Sequence, residues 1–207
     1  VLAGNVWLVS VAERTGTNVV HFPTVVDTDR FIPRSAEPET FRIGWVGNPS
    51  TTICLQPAAD AMVRVKDAQV CLIGADPERV PWQSADVEHR AWSLDREVSD
   101  LQSFSVGIMP QPEGEWMRGK CALKALQYMA CGVPCVASPF GAVLEFMRDD
   151  ENGILASTTE EWLRAFDRLR DPGLRMRMGK AGRATVEERY SLRNAAPNLV
   201  TLLKSII

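Results

Sequence analysis

Short apolar runs alternate with helical patterns through the middle of this chain, and that alternation limits the fold more than any other feature. The runs lie at residues 41–47, 69–74, 87–92, 105–109, 134–137 and 153–156. Near-continuous apolar strands are typical of sheets buried on both faces, whereas a strand with one solvated face alternates apolar and polar residues. The pattern therefore predicts an α/β fold, with a Rossmann-like parallel sheet covered by helices on both faces.

One helix in this pattern carries an unusual polar face. The spacing predicts a helix over residues 119–131, ended by Gly132 as a left-handed C-terminal cap. Lys120, Lys124 and Gln127 share one face of it, because side chains three and four residues apart are neighbours on a helix. Cations at a helix N-terminus oppose the helix dipole, so a bound phosphate there would relieve the repulsion. A solvated lysine face explains this stretch equally well.

The position of two loops favours the phosphate hypothesis. Parallel sheets bind ligands beyond the carboxyl ends of their strands, and residues 47–51 and 113–120 both follow predicted strands at that edge. Neither a G-x-G-x-x-G dinucleotide fingerprint nor a G-x-x-x-x-G-K-[ST] loop is present. The sequence therefore predicts a phosphate site of another kind.

Composition excludes several classes of function. The 207 residues are 45% hydrophobic and 24% charged, with a net charge of −3, which argues against a general nucleic-acid binder. Five cysteines without C-x-x-C spacing and only two histidines offer no metal-ligand set, and they indicate reduced thiols in a cytoplasmic protein. Because the chain begins with Val rather than Met, we expect a piece of a longer protein.

Four segments resemble, in order, the donor-binding C-terminal half of a GT-B glycosyltransferase of the retaining group 1 class, family 4. Residues 23–33 resemble its interdomain connector, and residues 41–52 its first strand and glycine loop. Residues 126–138, LQYMACGVPCVAS, resemble the family's L-E-A-M-A-C-G-x-P-V-V-A-S, and residues 145–155 resemble E-x-I-x-D-G-x-N-G-L-L.

The resemblance implies how the chain is divided and what it binds. Residues 1–40 would be the end of an N-terminal domain and the connector, and residues 41–193 the nucleotide-sugar domain. Residues 194–207 would form a helix that packs on this domain or on the absent one. The implied donor is a UDP or GDP sugar, bound without a cofactor or metal. A glycan, lipid or small-molecule acceptor would lie on the absent domain, so the chain alone would turn over little. The whole enzyme would be cytoplasmic, and its proximity to a membrane is left open.

The resemblance also assigns site residues. The family has a motif of two glutamates separated by seven residues. Gln127 replaces the second glutamate and would bind ribose hydroxyls. Gly119 replaces the first, which ordinarily touches the donor sugar. Gly114 and Glu115 would contact the sugar instead, and no catalytic residue is assigned. The base would lie near Ala91, Trp92 and Ser93. The diphosphate would be held by Gly47, Asn48, Ser50, Thr51, Arg118, Gly119 and Lys120.

Two other functions are compatible with these residues. A sugar-nucleotide epimerase-like protein has the same two-domain architecture, and fold alone does not separate the two. The replacement of both family glutamates is also compatible with a degenerate nucleotide-binding or interaction module that transfers no sugar.

Overall fold

The computed structural model describes residues 1–83 and 87–205 of the chain. Strands β1 (Leu2–Ala3) and β2 (Val20–His21) form a small parallel sheet. The main sheet has six parallel strands in the order β5-β4-β3-β6-β7-β8. They are β3 (Arg42–Val46), β4 (Gln69–Ile73), β5 (Val87–Arg90), β6 (Val106–Met109), β7 (Cys135–Ala137) and β8 (Ile154–Leu155). The predicted α/β fold with a parallel sheet is confirmed.

Helices cover both faces of the main sheet, and each face has its own apolar cluster. Trp45 packs in the cluster with helices α2 and α7, while its neighbour Val46 packs in the other with α5 and α8. The helices are α1 (Val6–Glu13), α2 (Ala59–Arg64), α3 (Glu97–Gln102), α4 (Glu115–Arg118), α5 (Leu123–Ala130), α6 (Val143–Phe146), α7 (Thr159–Arg168), α8 (Pro172–Arg189) and α9 (Leu192–Lys204). Within the described ranges, no helix has the length and apolar character needed to cross a bilayer.

The predicted start of the helix at residues 119–131 is wrong, while its predicted end is confirmed. Gly119 ends the separate short helix α4, and α5 begins only at Leu123. Between them, Ala122 has a left-handed backbone with φ of 52°, which breaks the helix. Gly132 has the expected positive φ of 67°. Lys120 therefore lies in a link between two helices rather than in the first turn of one.

A second predicted helix differs because of a proline. The spacing predicts a helix over residues 53–65, but the structure has a 3₁₀ helix (Pro49–Ala58) followed by α2. In an α-helix the ring of Pro57 would clash with the carbonyl four residues earlier, at residue 53, which disfavours an α-helix that begins there.

Arginine side chains hold residues 23–40 against the sheet domain. Arg183 of α8 donates to the carbonyls of Thr28 (3.0 Å) and Ala130 (2.7 Å). Arg175 of the same helix donates to the Glu37 carboxylate at 2.6 Å. In contrast, none of the described residues of α9 is buried. The proposed division at residues 40 and 193 stays a prediction.

Two facing glycines make room for aromatic rings against the sheet. Gly44 of β3 pairs with Gly107 of β6. A Cβ on Gly44 would lie 2.1 Å from the Phe104 ring, and one on Gly107 would lie 2.5 Å from the Tyr128 ring. Both rings are fully buried and meet at an edge, with centroids 6.2 Å apart. These glycines therefore allow α5 to approach the sheet closely.

The hydroxyl of Tyr128 fixes α5 to the end of β3. The Val46 N–H donates to this hydroxyl at 3.0 Å. The next N–H, of Gly47, bonds to β4, so the Val46 N–H faces β6, whose pairing with β3 has already ended at Gly44. Burial raises the pKa of Tyr128 far above its usual value, so the hydroxyl is protonated at neutral pH. A side chain thus completes the hydrogen bonding of the strand.

We expect Tyr128→Phe to lower the free energy of unfolding by about 1–3 kcal/mol, because a buried N–H would lose its acceptor. Urea denaturation measures the change. Tyr190→Phe is the matched control, since Tyr190 is also a buried residue and no hydrogen bond joins its hydroxyl to any residue of 1–83 or 87–205. Equal losses in the two variants would contradict this role for the Tyr128 hydroxyl.

Candidate functional site

A cleft of about 870 Å³ opens at the carboxyl ends of the central strands. The cleft lies at the edge of the sheet where the sequence predicts ligand binding, between the ends of β3, β4 and β5 and the start of α5. Its walls are formed by Val46, Gly47, Asn48, Pro49, Gly74, Ala75, Pro77, His89, Arg90, Ala91, Trp92, Glu97, Met109, Lys120, Cys121, Ala122, Leu123, Lys124 and Gln127. Among the predicted site residues, this set includes Gly47, Asn48, Ala91, Trp92, Lys120 and Gln127.

One wall of the cleft is mainly backbone. Gly74 follows β4 with a φ of 71°, and a Cβ there would lie 2.4 Å from the Gly47 carbonyl oxygen. A larger residue would be strained and would push the ends of β3 and β4 apart. Ala91 and the half-exposed Trp92 continue this wall, whereas Ser93 follows just outside it. This wall therefore offers backbone groups and an aromatic ring at one end.

The opposite wall carries two lysines. The Lys120 Nζ lies 3.9 Å from the centre of the Trp116 ring, and the Lys124 Nζ lies 5.7 Å from that of Trp45. Burial lowers the pKa of Lys124, and the charge of Lys120 lowers it further. No carboxylate in the described part of the chain forms an ion pair with either lysine. Two cations thus repel each other beside an open cleft, an arrangement that an anion would stabilise.

A polar pair lies between the aromatic end and the lysines. Gln127 Nε2 donates to Glu97 Oε1 at 3.2 Å, and the Trp92 indole N–H lies 3.4 Å from the same oxygen. Arg30, from residues 23–40, donates to Glu97 Oε2 at 2.6 Å. The predicted ribose ligand Gln127 is therefore part of a network and not an isolated side chain.

The loop after β3 uses its side chains mostly on itself. Asn48 caps the 3₁₀ helix by accepting from the Thr51 N–H at 3.0 Å, and the Thr51 hydroxyl accepts from the Asn48 N–H at 3.1 Å. Ser50 donates to the Asn48 side chain at 2.7 Å. Ser50 and Thr51 do not line the cleft. Their assignment to a diphosphate stays a prediction, and of the diphosphate ligands predicted in this loop the structure brings only Gly47 and Asn48 to the cleft.

The predicted residues before Lys120 also lie outside the cleft. Gly114 and Glu115 are exposed at the start of α4. The Arg118 guanidinium lies 5.6 Å from the centre of the Phe140 ring, and Gly119 faces Trp7 of α1. Their predicted contacts with sugar and diphosphate remain predictions.

Asn5 holds the link that carries Lys120. This buried side chain donates to the carbonyls of Arg118 (2.9 Å) and Lys120 (3.2 Å), and it accepts from the Leu8 N–H at 2.8 Å. It therefore joins the start of α1 to the turn between α4 and α5. Nothing in the local sequence of the link indicates a partner more than 100 residues away.

The site assignment from sequence omitted three charged residues that line the cleft, Arg90, Glu97 and Lys124. Lys124 shares the polar face that the helical spacing predicts, so a signal for it was present. Glu97 lies on another helix, thirty residues before Gln127, and no motif joins them. Within residues 1–83 and 87–205, no group of three or more His, Cys, Asp or Glu side chains is placed to hold a metal ion.

We expect Lys124→Met to stabilise the ligand-free protein and to weaken its binding of inorganic pyrophosphate. The lowered pKa means that the folded state holds the Lys124 proton less tightly than the unfolded state, so the charged lysine destabilises the fold at neutral pH. The penalty disappears as pH rises from the lowered pKa towards the unperturbed value. Melting temperature should therefore rise by about 2–4 °C for each kcal/mol recovered, and the gain should shrink at alkaline pH.

The control for this variant is Lys180→Met, which changes an exposed lysine on α8. We expect little change in melting temperature or pyrophosphate affinity from it. A destabilised Lys124→Met protein, or one that binds pyrophosphate as well as the wild type, would contradict the assignment.

Comparison with known proteins identifies the family to which the chain is similar. The model of the glycosyl transferases group 1 family matches residues 40–171, more than half of the chain. N-acetyl-alpha-D-glucosaminyl L-malate synthase of Bacillus anthracis is 29% identical over 133 residues, covering 60% of this chain and 34% of that protein. The GDP-mannose-dependent alpha-(1-6)-phosphatidylinositol monomannoside mannosyltransferase of Mycolicibacterium smegmatis is 25% identical over 212 residues. This match covers 88% of this chain and 55% of that protein. The chain thus spans about half or less of the length of these relatives.

Solved structures share the fold. Sucrose-phosphate synthase from Thermosynechococcus elongatus matches with a TM-score of 0.82 and 19% identity, over 99% of this chain and 57% of that one. Anabaena HepE, in a complex with UDP-glucose, matches with a TM-score of 0.77 and 14% identity. This match covers 99% of this chain and 63% of that one. The resemblance predicted from the sequence is confirmed, and the chain belongs to the group 1 family of glycosyltransferases, with the GT-B type of fold.

Proposed function

We propose that this chain is the donor-binding part of a retaining glycosyltransferase that moves a sugar from a nucleoside-diphosphate sugar to an acceptor. The observation that carries the proposal is the pair of half-buried lysines, which have no carboxylate partner among the described residues, on the wall of a cleft that also holds Gln127 and Trp92. The name of one relative specifies GDP-mannose, and HepE binds UDP-glucose, so a UDP or GDP sugar is the proposed donor.

The walls suit the parts of such a donor. The base would lie along Ala91 and Trp92, where backbone groups and an aromatic ring are available. The ribose would meet Gln127, and the diphosphate would lie between the backbone of Gly47 and the ammonium groups of Lys120 and Lys124. Leu123 and Lys124, the first residues of α5, also line this end of the cleft, and the first N–H groups of a helix have no partner within it. The sugar would extend towards residues 114–119.

The lysines would assist the reaction by stabilising the leaving group. Negative charge grows on the nucleoside diphosphate as the bond between sugar and phosphate breaks. Fixed cations in a partly desolvated site stabilise that charge without reorganising during the reaction. Lys120 and Lys124 would do so without a metal ion. The acceptor, and any general base, would be supplied by a part of the protein outside this chain.

Calorimetric titration with UDP, GDP and ADP in the presence of EDTA tests the proposal. We expect saturable binding of UDP or GDP by the wild-type chain, because the cleft supplies the positive charge itself. Binding of none of the three would overturn the proposed donor site. Binding without sugar transfer by the protein supplied with acceptors would favour a nucleotide-binding module instead.

Lys120→Ala should weaken binding of the nucleoside diphosphate by about 1.5–3 kcal/mol, the usual value of a hydrogen bond to a charged group. The same titration measures the loss. Lys180→Ala removes an exposed lysine on α8 and should leave the affinity unchanged. If the two variants bind alike, Lys120 does not contact the diphosphate.

A further inference from the structure

We propose that Glu97 shares the ribose site with Gln127 and contributes the carboxylate that Gln127 lacks. This inference rests on the proposed function, because it assigns a residue within the same donor site. Neither residue would be sufficient alone: Gln127 would accept from one ribose hydroxyl and Glu97 from the other.

The first argument is the orientation of the Gln127 amide. A carboxylate can only accept hydrogen bonds, so the contact of 3.2 Å between the two side chains uses the Gln127 NH₂ group as donor. The Gln127 carbonyl oxygen is consequently turned away from Glu97. It is available to accept from a ligand in the cleft, which both side chains line. Glu97 therefore sets which end of the amide a ligand meets.

The second argument is the number of acceptors that a ribose needs. Its 2′ and 3′ hydroxyls are two neighbouring donors, and a glutamate carboxylate can accept both, one on each oxygen. A glutamine offers one oxygen, so Gln127 alone would leave one hydroxyl without an acceptor. A buried or half-buried group without a partner weakens binding. The adjacent Glu97 carboxylate restores the missing acceptor within 3.2 Å of Gln127.

The third argument is that the Glu97 side chain is held in place and can still accept a further hydrogen bond. Its side chain is 11% exposed and lies between Arg30, which is 2.6 Å away, and Gln127. A carboxylate has about four acceptor positions, and Arg30, Gln127 and the long contact from Trp92 occupy three of them. One position is open, and a ligand hydroxyl can replace the Trp92 contact at 3.4 Å. Arg30 also offsets the negative charge beside the diphosphate site.

The experiment compares UDP and GDP with their 2′-deoxy and 3′-deoxy analogues and with inorganic pyrophosphate, by calorimetry on the wild type and Glu97→Gln. Each analogue lacks one of the two hydroxyls, so one of them lacks the hydroxyl that Glu97 contacts. For the wild type we expect the ribonucleotide to bind about tenfold more tightly than that analogue, the effect of one hydrogen bond to a charged group. In Glu97→Gln this preference should fall below about threefold, because a neutral amide accepts more weakly. Pyrophosphate affinity should stay within about twofold.

A paired rescue separates ligand contact from folding. Glu97→Gln combined with Gln127→Glu exchanges the two residues, keeps one carboxylate in the pair and should restore the ribose preference. Glu188→Gln, on the exposed face of α8, is the matched control for removing a carboxylate. A melting temperature for each variant identifies any general loss of structure.

The outcomes distinguish this inference from the proposed function. If the wild type binds the nucleotide and Glu97→Gln keeps the full preference for ribose over both deoxy analogues, Glu97 does not contact the ribose, and the inference is overturned while the proposed function stands. An equal loss for nucleotide and pyrophosphate, or no recovery in the exchanged variant, also overturns it. If the wild type binds no nucleotide, the proposed function fails first.

Discussion

The hydrogen bond from the Val46 N–H to the Tyr128 hydroxyl joins the sheet to the helix that carries the site. Tyr128 lies on the buried face of α5, fitted against Gly107, and fixes the helix at the end of β3. Gln127 and Lys124 lie on the same helix and face the cleft. Because an α-helix is rigid over two turns, the position of one face sets the position of the other. The packing of the core thereby determines the geometry of the cleft.

The positive charges in the cleft destabilise the ligand-free protein and would stabilise a complex with an anion. Lys124 is partly desolvated and lies near a second cation, which destabilises its charged form. The rings of Trp45 and Trp116 stabilise the two ammonium groups through cation–π contacts, but the rings carry no net charge that would offset the repulsion. A diphosphate would supply the charge that is missing. Residues that reduce the stability of a fold in this way are typical of binding sites.

Periodicity in the sequence predicted the sheet and the end of α5, because both depend on local residues: apolar strands, and a glycine that adopts a positive φ. It did not predict the break at Ala122, a non-glycine residue in a left-handed conformation. Asn5 stabilises that turn by bonding to carbonyls on both sides of Gly119. A contact between residues so far apart has no signature in spacing. The wrong start of the predicted helix at residue 119 and the omission of Glu97 from the predicted site therefore have one cause. Tertiary contacts determine both where α5 begins and where Glu97 lies.

The same tertiary contacts decide which charged groups reach the cleft. A family motif describes a site that consecutive residues of one loop and helix supply. Here the residue at Gly119 faces α1, while Lys120 and Lys124 face the cleft, and Glu97 reaches Gln127 from α3. The acidic and basic groups are present in the cleft but come from different elements. Arg30, which holds Glu97, belongs to residues 23–40, so the position of that segment affects the site directly. A change in how the segment lies against the sheet would move Glu97 relative to Gln127, and under the proposed assignment the affinity for ribose would change with it.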